Sequence, residues 1–377
     1  MGKRTASKPK KPYPDFPLTA NGNGQWSKKI RGRVHYFGPW ADPQGALSRY
    51  LAVKDDLHAG REPRSRGGFA VGELCNHFLT TKKRLLDNGE ITNRTFQDYH
   101  RTCQKAVNFF GKNRLVRDLV PDDFNAYRRK LAETLGPVAL GNEIQRTRTL
   151  FGYPWKEGLL ESPVRFGSVF TRPERRVIRQ NRHKNGPRMF EAEQIRRMID
   201  AANQPLRTMI LLGINCGFGN NDCGTLRFSA LDLDKSWVTF PRPKTGINRR
   251  CPLWPETVEA LQAAIADRPA PNDGSFADLV FLTRFGGPWA KDEADSPVSK
   301  ETRKLLEELA LHRRGLGFYA LRHTFETIAG ETTDQVAVDF IMGHARDDMA
   351  SLYRERISDQ RLRAVTDYVR AWLFGSS

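Results

Sequence analysis

The strings Leu321-Arg322-His323-Thr324-Phe325 and Gly343-His344, with Tyr353 nine positions after His344, constrain this chain more than any other feature. A phenol is a poor nucleophile at neutral pH. To attack a phosphodiester it needs cations that hold the phosphate and bear the charge of the pentavalent transition state. Arg322 offers a planar fork that matches two phosphate oxygens, and His344 can donate a hydrogen bond or exchange a proton. Using them together requires a fold that brings three separate segments to one point. Taken singly, each residue has a blander role: Tyr353 as a half-buried helical tyrosine, Arg322 as one partner of a surface ion pair. The joint spacing favours phosphoryl transfer with Tyr353 as nucleophile.

The charge balance points to the same kind of partner. Lys and Arg number 61 against 43 Asp and Glu, a formal charge of +18 with a pI near 9.9. Such an excess suits a polyanion, and nucleic acid is the default. At 377 residues with 39% hydrophobic content, two or three domains with real cores are expected. The five cysteines (Cys75, Cys103, Cys216, Cys223, Cys251) contain no CxxC pair. That argues against a disulfide framework or a zinc site and for a reducing cytoplasm. The basic start Met1-Gly2-Lys3-Arg4 has no apolar run behind it, so it does not read as a signal peptide. The longest apolar stretch, 208–218, is too short to cross a bilayer, and a soluble cytoplasmic protein with no membrane partner is expected.

Along the chain, residues 1–13 read as a disordered basic tail. Residues 14–60 read as a small β module. Strands over 25–30 and 33–38 flank the turn Arg31-Gly32, a helix covers 46–57, and Lys28, Lys29, Arg31 and Arg33 stud the strands as candidate DNA contacts. A solvated basic hairpin is the alternative there. A Pro/Gly/Arg-rich linker spans 61–68. Helical periodicity then runs over 69–170, with breaks near Gly89, Gly111 and Gly136-Pro137 that leave a bundle of about four helices. The stretch 171–188 is a basic linker. Its residues Arg175, Arg176, Arg179, Arg182, Lys184 and Arg188 are candidate phosphate contacts that would supply affinity rather than sequence choice. Residues 189–377 read as a mainly α domain with a small antiparallel sheet. Its strands are expected at 237–240, 250–253 and 279–283, with helices over 191–202, 207–214, 256–267, 300–311, 325–329, 336–342 and 349–354.

Tyr319-Ala-Leu-Arg322, Gly343-His344 and Tyr353 together resemble the signature of the tyrosine recombinase (phage integrase) family. The resemblance implies a mainly α multidomain protein with an amino-terminal arm-binding β module, a helical core-binding domain and an α+β catalytic domain. It implies site-specific cutting and rejoining of double-stranded DNA through a 3′-phosphotyrosyl link, carried out by a homotetramer on DNA and serving a mobile element. The ester keeps the bond energy, so no cofactor is implied, and no metal. Arg322 would clamp the phosphate and His344 would hydrogen-bond a non-bridging oxygen or support proton transfer. Lys244, in a Lys-Thr-Gly turn between strands, would protonate the leaving 5′-oxygen.

Two positions depart from the family pattern. Tyr319 stands where a histidine is usual; its phenol can hydrogen-bond a phosphate but shuttles protons less well near neutrality. More serious, Cys216 to Leu226 aligns with the family segment that carries the first catalytic arginine, Asp222 and Leu226 hold register, and the arginine position falls on Gly219. Arg207, Arg227, Arg249 or Arg250 could substitute, with Arg249 and Arg250 favoured. Alternatively, the backbone amides of Gly219, Asn220 and Asn221 could form an anion site. The rival readings are a catalytically inactive recombinase-fold DNA-binding protein and a type IB topoisomerase-like enzyme. Retention of Lys244, Arg322, His344 and Tyr353 favours an active recombinase. The apolar spacing of Leu362, Val365, Tyr368, Val369 and Trp372 suggests a tail that docks on a neighbouring protomer or on its own domain.

Overall fold

The computed structural model describes residues 8–60, 69–290, 296–344 and 356–375. It is mainly helical with two three-stranded sheets, and it divides into two compact units, 1–174 and 175–377. No helix among the described residues is long and apolar enough to cross a membrane.

Unit 1 holds two separate cores. In the first, β1 (Thr19–Asn21), β2 (Gln25–Ile30) and β3 (Arg33–Pro39) form an antiparallel meander, and α1 (Pro43–His58) covers it. Arg31 and Gly32 both take positive φ, the geometry that a two-residue hairpin needs to match strand twist. Trp26, Phe16 and Tyr50 fill the space beneath. Tyr13 rests edge-on against Phe16, 5.3 Å between ring centres, so the foot of the basic tail is packed. The second core belongs to four helices, α2 (Val71–Asp87), α3 (Asn93–Phe110), α4 (Pro121–Ala132) and α5 (Pro137–Lys156). Their ends fall at the breaks expected from Gly89, Gly111 and Gly136-Pro137. Phe124 is fully buried at the centre, its ring 4.9–5.4 Å from those of Phe110, Phe151, Phe166 and Phe170.

Unit 2 begins with α6 (Arg175–Asn185), where the sequence suggested only a basic linker. This helix buries no residue, so it carries no apolar stripe from which a helix could be read. The core is built by α7 (Ala192–Ala201), α8 (Leu206–Asn215), α9 (Asn220–Gly224), α10 (Pro255–Ala266), α11 (Pro297–Glu308), α12 (Tyr319–Ala329) and α13 (Gln335–Met342). A sheet of β4 (Leu231–Asp232), β5 (Trp237–Thr239) and β6 (Arg250–Pro252) packs against them. The strand expected at 279–283 is instead two isolated bridges, Arg227 with Leu279 and Leu282 with Pro288, because no continuous partner strand lies beside it. The expected helix at 349–354 lies outside the described residues.

The carboxy-terminal helix, Asp359–Phe374, settles the question of the apolar tail. Leu362, Val365, Val369 and Leu373 are buried in the core of their own unit, against α7, α12, α13 and β6. The indole Nε1 of Trp254 donates to the carbonyl of Thr366 at 3.0 Å. Most of the stripe is therefore internal, packed on its own unit, while Tyr368 is exposed.

Because Phe124 contacts four other rings, Phe124→Ala should cost unit 1 about 3–5 kcal/mol. Guanidinium unfolding followed by limited proteolysis should show unit 1 opening earlier while unit 2 keeps its midpoint.

Candidate active site

Arg322 is positioned by the packing of α12 on α8. Leu321, Phe325 and Ile328 face the core, and Gly213 on α8 allows the close approach: a Cβ there would lie 2.8 Å from Leu321 Cδ1. Thr324 Oγ1 accepts the amide of Phe190 at 2.9 Å, tying the chain just before α7 to this helix. Arg322 itself is 2% exposed. It donates through Nη1 to the carbonyl of Gly217 (2.5 Å) and through Nη2 to that of Met342 (2.7 Å).

Met342 ends α13, whose last carbonyls lack helical partners and carry the negative end of its dipole. Gly343 closes the helix in the left-handed conformation (φ 62°), which a residue with a Cβ adopts only at a cost. That turn brings His344 back onto Arg322, 2.9 Å between Nε2 and Nη2. A guanidinium can only donate, so Nε2 accepts and the proton sits on Nδ1. Nδ1 faces Asp339 Oδ1 at 3.5 Å and Glu326 Oε2 at 3.7 Å. These three residues also form a group whose ligand atoms lie within 4.8 Å of one another. Burial, then the Arg322 charge, pushes the His344 pKa below its ordinary 6.5, so the ring is neutral at pH 7. A second arginine joins here: Arg242 Nη1 donates to the carbonyl of Gly343 at 3.2 Å.

The two departures from the family pattern are neighbours in space. A Cβ at Gly219 would meet the Tyr319 ring at 3.2 Å and Asp222 Oδ2 at 3.3 Å. The tyrosine thus stands over the glycine. Asp222 turns back to accept the amide of Gly219 (2.6 Å) through Oδ2 and Arg249 Nη2 (2.7 Å) through Oδ1. Arg249 is 2% exposed, its guanidinium 4.2 Å from the Phe218 ring centre and its Nε on the Phe240 carbonyl. Its Nη1 is buried without a hydrogen-bond partner. The amide of Gly219 is already used by Asp222, and the side-chain amide of Asn220 donates to Ser299, so two of the groups considered for an anion site are engaged. Arg250 pairs with Asp359 and lies over Trp237, and Arg227 pairs with Asp278.

Lys244 is exposed in the β5–β6 hairpin, where Gly246 takes positive φ and its amide meets the carbonyl of Arg242 at 2.8 Å. Tyr353 lies outside the described residues. Arg175, Arg176, Arg179 and Lys184 are exposed, and Arg179, Arg182, His183 and Arg188 line a cavity of about 660 Å³ together with His323. Burial, then Arg188, lowers the His323 pKa. In unit 1, Lys29, Arg31 and Arg33 are exposed, whereas Lys28 is turned onto the Pro17 carbonyl and the Tyr50 ring. Sequence reasoning missed Arg242, Glu326 and Asp339. Their only signal is position, two residues before Lys244 and on the helix faces that flank His344.

No curated protein matches this sequence. The phage integrase family matches residues 188–359, the span that holds Arg242, Arg322, His344 and Tyr353. Residues 188–359 therefore carry a domain of the tyrosine recombinase (phage integrase) family. Members of that family cut and rejoin DNA, and the domain supports site-specific recombination as the function of this chain. Among solved structures, the fold is similar to the Tn1549 transposon integrase in complex with a circular intermediate DNA, at 16% identity and a TM-score of 0.58, over 80% of this chain and 99% of that one. It is also similar to the lambda integrase tetramer bound to a Holliday junction (14% identity, TM-score 0.56, 92% and 98% covered). The XerH site-specific recombinase in a post-cleavage complex gives 17% identity and a TM-score of 0.54, with 72% and 79% covered.

In this recombinase a neutral His344 has Nε2 as a proton acceptor, so acid should disable it. Strand cleavage should hold level above pH 6.5 and decline as pH falls below it, because protonation turns Nε2 from an acceptor into a donor facing Arg322. A pH–rate profile checks this, and His344→Gln should flatten the acidic limb while lowering the plateau.

Proposed function

We propose that this recombinase cleaves double-stranded DNA with Tyr353. The phenol oxygen attacks the scissile phosphorus, the P–O5′ bond breaks, and the strand is left as a 3′-phosphotyrosyl ester. Lys244 gives its proton to the departing 5′-oxygen. His344 Nε2, released by Arg322 as that guanidinium turns to the phosphate, takes the phenol proton. Arg322 donates to the non-bridging oxygens, and the Tyr319 hydroxyl adds a hydrogen bond. Rejoining runs the same steps in reverse on a new 5′-hydroxyl, so neither nucleotide hydrolysis nor a cofactor enters the balance.

The observation that supports this most is the Arg322–His344 pair, 2.9 Å apart, immediately before the segment that leads to Tyr353. The basic cavity lined by Arg179, Arg182, Arg188 and His323 supports backbone contacts by the 171–188 stretch, with Arg175, Arg176 and Lys184 beside it. In unit 1, Lys29, Arg31 and Arg33 would meet DNA at a second site, with Lys28 bracing the module. The working form we propose is a homotetramer on DNA, acting in the cytoplasm for a mobile element.

Incubating the protein with a nicked duplex, selected by the protein itself from a random DNA pool, should give a protein–DNA band that survives denaturant. Tyr353→Phe should abolish it. A band that persists in Tyr353→Phe would assign the nucleophile elsewhere, and no band in the wild type would favour DNA binding without catalysis.

A further inference from the structure

We propose that Arg242 supplies the phosphate-binding cation that Gly219 lacks, serving as the second guanidinium of the site. The inference rests on the recombinase reading and deepens it.

The backbone of Arg242 is fixed by the hairpin. Its amide donates to the carbonyl of Ile247 at 2.8 Å, and its carbonyl accepts the amides of Thr245 and Gly246. From there the side chain runs along Gly343: its Cβ and Cδ lie 3.0 and 3.3 Å from where a Cβ at that glycine would stand. Nη1 reaches the carbonyl of Gly343, next to the carbonyl of Met342 that Arg322 holds. Two guanidinia thus grip successive carbonyls, and both flank His344.

Of the four other arginines considered as replacements, Arg207 is exposed on α8 and three are held by carboxylates. Arg249 is paired with Asp222 and shut off from solvent, with its Nη1 unpartnered, while Arg250 is paired with Asp359 and Arg227 with Asp278. Arg242 is half-buried and has no carboxylate partner among the described residues. It uses one of five N–H groups on Gly343, which leaves donors for a phosphate. Its charge is, after burial, the next largest influence lowering the Arg322 pKa. Two like charges held side by side, neither in an ion pair among the described residues, are what a dianionic pentavalent phosphate would relieve. Arg242 therefore touches the non-bridging oxygens from the hairpin side, and Arg322 touches them from the helix side.

The test uses the full chain and the selected nicked duplex. At saturating DNA, Arg242→Ala should slow formation of the Tyr353 adduct on the order of 10²–10³-fold, and Arg242→Lys should recover part of the rate. With a methylphosphonate at the scissile position the transferring group carries one negative charge fewer, and the loss should shrink to under about tenfold. A wild-type rate in Arg242→Ala, or an equal loss on both substrates, would overturn the assignment and leave Arg242 as packing for Gly343. Absence of any Tyr353-dependent adduct from the wild-type protein would overturn the recombinase reading itself, and the assignment with it.

Discussion

The site hangs on the carboxy-terminal turn of α13. Helical carbonyls at that end have no amide partners, and arginines are well suited to satisfy them. Arg322 takes the carbonyl of Met342, Arg242 that of Gly343, and the left-handed turn at Gly343 folds His344 back between them. The turn thereby orders three polar groups with one structural device. A residue other than glycine at 343 would both strain the turn and press on the stem of Arg242.

Around this turn, loss at one position is linked to change at another. Without an arginine at 219, the Tyr319 ring stands over the glycine, and the amide of Gly219 is closed off by Asp222. Asp222 in turn holds Arg249 in a buried ion pair (side chains 11% and 1% exposed), capped by the Phe218 ring. Removing one partner of such a pair strands the other charge in a dry environment, so the pair anchors α9 to the residue that leads into β6. The positive charge that cleavage needs must then come from the open side of the site, where Arg242 and Lys244 share one hairpin.

Much of the fold was legible from residues. Gly89, Gly111 and Gly136-Pro137 mark the ends of the bundle helices, and Arg31-Gly32 marks the hairpin of the β module. Arg322 and His344 are read from their strings and lie together. Features without an apolar period were not legible: α6 buries no residue fully, and the 279–283 stretch forms single bridges instead of a ladder. The tail stripe of Leu362, Val365 and Val369 was readable as apolar, but periodicity does not say which surface covers it. The choice among replacement arginines was likewise hidden. Arg249 and Arg250 differ only by strand alternation, and Arg242 becomes visible once the hairpin is folded onto Gly343.

The central claim is that Arg322 and Arg242 bind one phosphate across the α13 turn. A structure of Tyr353→Phe on its selected duplex tests this directly. The account predicts guanidinium nitrogens of both arginines at about 2.7–2.9 Å from the non-bridging oxygens of the scissile phosphate, with His344 Nε2 turned to the nucleophile position. A phosphate held by Arg322 together with Arg249, while Arg242 stays on the carbonyl of Gly343 alone, would contradict it.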